Sequence, residues 1–384
     1  MSHSLRAVYT CTPVAFHANR AFHIRDSGLI ASELRKMGLE SKSIMPLPSY
    51  EDDSLTEQLI RVEAEKLSDP AWWRTLGIDA VVLYSWGAPR YRSIARAIQK
   101  AGLKLLIHLD SSGDFWGGIR LRDLPLGRAL REMIRRPLVD LLRARHLSYA
   151  DYITASPPTR DILRFNFFYG PAIADKMRSM PCPVASDKRY DGTPKRPEIL
   201  LIGRWDDPVK RLNYAFEAIR CLFTSLQDEI PPDTQAAFYG NIPDELRAMH
   251  ARLPEEIRRR IRLEGYVDNA DLCAVYSRAQ IICCTSRSEG THNVSAEALC
   301  CGCSVVVSNR PAALRTVIWY TTRDSGRVSE QDSPASFACA LRDELLAWQR
   351  GERDAVTIAR AWQPVFHVDR ALTRIFGLDQ PDSA

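Results

Sequence analysis

Runs of apolar residues with no polar position inside them recur along the chain: AVVLY at 80–84, LLI at 105–107, ILLI at 199–202 and VVV at 305–307. Most are followed, after a turn, by an amphipathic helical pattern. A strand that is apolar at every position, not every second one, has both faces covered, and that requires a parallel sheet sandwiched between helices. The runs are far below the roughly 20 residues that a membrane-spanning helix needs.

Strands are expected at residues 5–10, 79–84, 104–109 and 151–155, with helices at 27–37 and 91–100. The alternation lapses over 184–197, VASDKRYDGTPKRP, which reads as a linker. It resumes with strands at 199–202, 236–239, 262–264, 281–284 and 304–307 and helices at 212–224, 270–277 and 294–301. The expected fold class is therefore α/β, with two Rossmann-like doubly wound parallel-sheet domains facing a cleft beyond the carboxyl ends of their strands. The length of 384 residues suits two such domains. Boundaries are drawn at 1–190 and 191–355, leaving a helical tail, 356–384, with Trp362, Phe366, Leu372 and Phe376, too apolar to stay solvated.

Composition excludes several classes. Apolar residues at 45% and charged residues at 26% are those of a globular protein, not a disordered one. A net charge of +5 and a pI near 8.6 fall short of a dedicated nucleic-acid binder, so no nucleic-acid partner is expected. Ten cysteines with no secretory signal at the start suit a reducing cytoplasm.

Two loops carry the candidate chemistry. Gly203 and Arg204 end one strand, and Lys210 and Arg211 open the next helix. These cations form either a charged surface turn or a cradle for a diphosphate, since arginine offers a planar fork and lysine a mobile point charge. The second loop, SEGTHNVSAEALCCGCSVVVSN at 288–309, sets Glu289 and Glu297 eight residues apart around a helix start. They read as solvated acids, a catalytic pair, or two contacts on one ligand. Cys300, Cys301 and Cys303 include a C-x2-C spacing without a second pair, which favours packing over metal.

Taken together, G-R-x5-K, then LEGYVDNADLCAVYSRAQIICCTSRSEG, then E-G-x6-E-A-x3-C-G-x-S-V-V-V-S resembles the retaining glycosyltransferases of family four, with the GT-B fold. The likeness covers roughly 199–328 and extends into the first domain through 78–113 and 150–165. It implies a nucleotide-sugar donor, a UDP- or GDP-sugar, as substrate and no further cofactor. It places Arg204 and Lys210 on the diphosphate, Glu289 at the donor sugar and Glu297 on the ribose. Gly290, Thr291, His292, Asn293 and Val294 face sugar or phosphate, Tyr266 and Val267 lie against the base, and His108 sits at the reacting sugar. His108 also has a plain reading as a buried, satisfied histidine. The tail would cross back to the first domain. The implied activity is transfer to a saccharide or lipid-linked acceptor with retention of configuration, in polysaccharide or glycoconjugate biosynthesis. No D-x-D motif occurs to bridge a metal to the diphosphate. Sugar-nucleotide epimerases and inactive nucleotide-sugar-binding relatives share the architecture and stand as alternatives.

Residues 119–146 carry eight arginines against three acids, interleaved with leucine and isoleucine. The segment reads as a solvated helical face or as a peripheral contact with anionic lipid at the inner face of the membrane.

Overall fold

The structure, a computed structural model, describes residues 5–109, 125–165, 167–310 and 317–378. The chain divides into two compact units. One comprises Met1–Ser186 with Val365–Ala384, the other Asp187–Pro364.

The first unit is built on seven strands: β1 (Val8–Cys11), β2 (Ser43–Pro46), β3 (Leu59–Val62), β4 (Ala80–Tyr84), β5 (Lys104–His108), β6 (Tyr152–Ala155) and β7 (Met177–Ser179). Their order is β3-β2-β1-β4-β5-β6-β7, every pairing parallel. β4 is buried along its whole length, as an apolar run covered on both faces must be. β2, β3 and β7, which sequence patterning leaves unassigned, are three or four residues long, and β3 and β7 form the sheet edges. Their sequences, SIMP, LIRV and MRS, break the apolar run with a proline or an arginine, so patterning does not mark them as strands.

One face of this sheet packs Val8, Val82 and Leu106 with Ile30 and Leu34 of the helix Asp26–Lys36. It is completed by the helix Val368–Phe376, which adds Val368, Ala371, Leu372, Ile375 and Phe376. Their spacing is that of one helical stripe, which explains why the tail is apolar. The chain breaks before this helix at His367, in extended conformation, while Pro364 is accommodated within the preceding helix Ala355–Phe366.

The second unit has six strands, β8 (Arg196–Arg204), β9 (Gln235–Asn241), β10 (Ile261–Gly265), β11 (Ala279–Cys284), β12 (Ser304–Val307) and β13 (Gly326–Val328). They run in the order β10-β9-β8-β11-β12-β13, again all parallel. The helices Leu212–Ser225 and Pro334–Gln349 set Phe216, Ile219, Phe223, Phe337 and Leu341 against Leu201, Phe238 and Ile281. Burying one such side chain contributes about 1.5–3 kcal/mol. Both sheets reverse their strand order once, between β1 and β4 and between β8 and β11. Open α/β sheets bind ligands beyond the strand ends at such reversals. At the carboxyl end of β8, a Cβ on Gly240 would lie 2.1 Å from the Gly203 carbonyl oxygen, so only glycine lets β8 and β9 approach there.

Candidate active site

In the second unit the reversal places two loops side by side, 205–211 after β8 and 285–292 after β11. Two hydrogen bonds tie them: Arg287 N–H donates to the Val209 carbonyl at 2.7 Å, and the Thr285 hydroxyl donates to the Lys210 carbonyl at 3.0 Å. The first loop is shaped by Asp207, whose carboxylate accepts from Val209 N–H at 2.9 Å and from the Arg204 guanidinium at 3.1 Å. Arg204 remains 79% exposed and open to a further partner. Trp205 turns inward and donates its indole N–H to the Tyr239 carbonyl at 2.9 Å.

Lys210 and Glu289 meet at the centre. Lys210 Nζ lies 2.6 Å from Glu289 Oε1, with the side chains 19% and 11% exposed. Burial would raise the Glu289 pKa, yet His292, Lys210 and the Ser286 hydroxyl carry it below the ordinary carboxylate value. His292 is itself buried, and burial pushes its pKa down to about 4, so at neutral pH the standing positive charge is that of Lys210. Arg211 follows in the left-handed region at φ 57°, a conformation that costs a non-glycine residue about 1–3 kcal/mol. Asp332 at 2.7 Å and the Tyr214 ring, 3.8 Å beneath its guanidinium, hold it there.

The second loop leads into the helix Asn293–Cys300. Its N-cap is His292, whose ring shares a 2.6 Å hydrogen bond with the Ser295 hydroxyl. Gly290, Thr291 and Val294 are half-buried and Asn293 is exposed. Glu297, one turn further on, does not join Glu289: it accepts from the Tyr276 hydroxyl at 2.9 Å. Part of its surface stays open, but the atoms crowding its carboxyl raise its pKa against the pull of Tyr276 and Lys188. Tyr266, 78% exposed, and the half-buried Val267 follow β10 at the sheet edge.

His108 belongs to the first unit. Its Nδ1 shares a 2.8 Å hydrogen bond with the Thr154 hydroxyl, its Nε2 has no partner among the described residues, and full burial lowers its pKa to about 3. The cysteines at 300, 301 and 303 are fully buried. Cys303 donates to the Tyr276 carbonyl at 3.0 Å, as a small packing residue can. Among the described residues no three His, Cys, Asp or Glu side chains cluster to hold a metal.

Sequence patterning passes over Asp207, Tyr276 and Lys188. Asp207-Pro208 is a legible cap signal, whereas Tyr276 lies on an ordinary amphipathic helix and Lys188 in the polar connection between the sheets.

Residues 196–346 match the family profile described as Glycosyl transferases group 1. Curated protein sequences give no match. Among solved structures the chain resembles Anabaena Alr3699/HepE in complex with UDP, at 14% identity and TM-score 0.63, covering 96% of this chain and 98% of that one. It resembles sucrose-phosphate synthase from Thermosynechococcus elongatus at 16% identity and TM-score 0.59, covering 97% and 96%. It also resembles the lipopolysaccharide outer core galactosyltransferase WaaB, at 12% identity and TM-score 0.59, covering 97% and 99%. The second unit thus carries a glycosyl transferases group 1 segment, and the chain as a whole has the GT-B fold of these glycosyltransferases.

Proposed function

We propose that the chain transfers a glycosyl residue from a UDP- or GDP-sugar to a saccharide or lipid-linked acceptor, with retention of configuration and without a metal ion. The observation that carries this reading is the Lys210–Glu289 pair, 2.6 Å apart, where the carboxyl ends of β8 and β11 diverge. Relatives of this fold bind UDP and UDP-glucose, as Alr3699/HepE does.

In this reading Arg204 and Lys210 take the donor diphosphate. The leaving nucleoside diphosphate gains negative charge as the glycosyl bond breaks, and two preorganised cations stabilise that charge most in the transition state. Lys210 is already desolvated and fixed by Glu289, so little reorganisation is needed when charge develops. Glu289, kept ionised, accepts hydrogen bonds from donor-sugar hydroxyls, and Glu297 does the same for the ribose. The segment from Gly290 to Val294 approaches sugar and phosphate, and Tyr266 and Val267 flank the base. We assign acceptor binding to the first unit, where His108 Nε2 is an unused buried acceptor for a hydroxyl proton. We also place the enzyme in the cytoplasm at the inner face of a membrane, in contact through residues 119–146. Of these, 119–124 lie outside the described residues, and the rest form the helix Leu126–Leu147 with an exposed apolar face.

The test is incubation with UDP-, GDP- and ADP-sugars, with and without EDTA. Release of free nucleoside diphosphate from one donor, unaffected by EDTA, is expected, and the product anomer read by NMR should match the donor's. A new sugar nucleotide without release would mean epimerisation, and binding without turnover an inactive relative.

A further inference from the structure

A cavity of about 570 Å³ opens on the first unit. Its wall carries Arg90, Arg92, Arg96 and Lys100, with Ser93 and Leu142, and no acid. Arg92, Arg96 and Lys100 stand four residues apart on one face of the helix Arg92–Lys100, all exposed. Arg90 rests over the Tyr91 ring at 4.8 Å. Among the described residues none of the four forms an ion pair. Four like charges around one hollow repel each other, and a bound anion relieves that cost.

Leu142 joins this cavity to the helix Leu126–Leu147. That helix exposes Leu126, Leu130, Met133, Ile134, Leu138 and Leu141 on one face, Ile134 to 77%. Their spacing traces a single stripe along four turns. Arg128, Arg131 and Arg145, exposed and without ion pairs among the described residues, flank it. Exposed apolar stripes of this extent mark interaction surfaces.

The charges select the occupant. A second copy would bring the same arginines face to face. An anionic bilayer satisfies both features, since acyl chains receive the stripe and phosphodiester headgroups receive the cations. Guanidinium groups bind phosphate oxygens in bidentate fashion, and each cation near such a surface strengthens binding. We infer that the Arg90–Lys100 cavity is a headgroup site for anionic phospholipid, filled when the apolar stripe of Leu126–Leu147 lies in the membrane interface.

The inference rests on the membrane placement proposed above, and two variants separate the two. Vesicles of phosphatidylglycerol in phosphatidylcholine, and of phosphatidylcholine alone, are co-sedimented with the full chain at low and high salt. The chain should pellet with the anionic vesicles at low salt only. Arg92→Ala/Arg96→Ala should lower the partition coefficient about 30-fold, at roughly tenfold per 1.4 kcal/mol and about 1 kcal/mol per cation. Ile134→Glu should abolish pelleting, and both variants should keep the wild-type circular dichroism and UDP-sugar binding in solution. If Arg92→Ala/Arg96→Ala pellets like wild type while Ile134→Glu does not, the headgroup site is wrong and the membrane placement stands. Failure of the wild type to pellet at low salt overturns both. Binding of inorganic phosphate or heparin through these arginines without vesicle binding identifies a soluble anion site and overturns the inference.

Discussion

Replacing Lys210 by alanine removes the cation that, among the described residues, forms an ion pair with Glu289. The carboxylate is 11% exposed and burial raises its pKa, so removing Lys210, one of the groups that lower it beside His292 and the Ser286 hydroxyl, moves the pKa upward. Breaking a fully buried pair costs about 3–5 kcal/mol, and the residual exposure of both groups reduces this to about 2 kcal/mol. For a unit of this size that is a fall in melting temperature of about 4–8 °C. The sign with pH is fixed. In the wild type the depressed Glu289 pKa supplies stability that is present above the ordinary carboxylate value and lost as pH falls through the folded one. In Lys210→Ala the higher pKa diminishes this contribution, so the deficit is largest at neutral pH and shrinks as acid protonates the carboxyl. Turnover should fall by about 10²–10³, since a cation at the leaving group acts mainly in the transition state. Scanning calorimetry from pH 4 to 8, alongside nucleoside diphosphate release, reads both quantities. A pH-independent stability deficit, or turnover within twofold of wild type, would refute the reasoning. Lys210→Met, which keeps most of the volume, should reproduce the effect.

Under the proposed function, Glu297→Ala should raise the dissociation constant for the donor nucleotide about tenfold by calorimetry while changing kcat less, because a ribose contact of the kind proposed for it acts equally in ground and transition states. His292 and His146 have pKa values lowered to about 4 by burial, with nearby Arg143 also acting on His146. The unfolded chain therefore binds more protons between about pH 4 and 6.5, and each histidine contributes up to roughly 3 kcal/mol of stability that is lost as pH falls through that window. His146→Gln should flatten part of that slope in urea unfolding. Leu372→Ala opens a cavity in a fully buried site and should cost about 2–5 kcal/mol. Circular dichroism should show the loss in the unit containing β1–β7, with UDP-sugar binding by the other unit retained.

The strands at the centres of both sheets were legible because they are apolar on both faces, and their parallel pairing followed from alternation with helices, whereas their order did not. β2, β3, β7 and β13 were not legible, because SIMP, LIRV, MRS and GRV each break the apolar run with a proline or an arginine. Arg204, Lys210, Glu289 and Glu297 each stood out beside a strand end, but their pairing did not. Lys210 and Glu289 are 79 residues apart, and only the adjacency of β8 and β11 makes them neighbours. Glu297 looked like an open carboxylate. Its Tyr276 partner comes from a helix whose pattern announces packing and nothing else. The arginine-rich segment was legible as amphipathic. Its union with Arg92 and Arg96 was not, since those residues lie on another helix.

The unit that begins the chain is closed by one of its last helices, and this has a consequence for synthesis. Leu106 and Val368 share one hydrophobic layer yet are separated by the entire second unit. At about 5–20 residues per second, that layer stays uncovered for roughly 10–50 s after its strands leave the ribosome. The second unit is contiguous and can fold first. The nascent chain therefore holds a finished second unit attached to an open, aggregation-prone sheet, and chaperone demand should concentrate on its amino-terminal half.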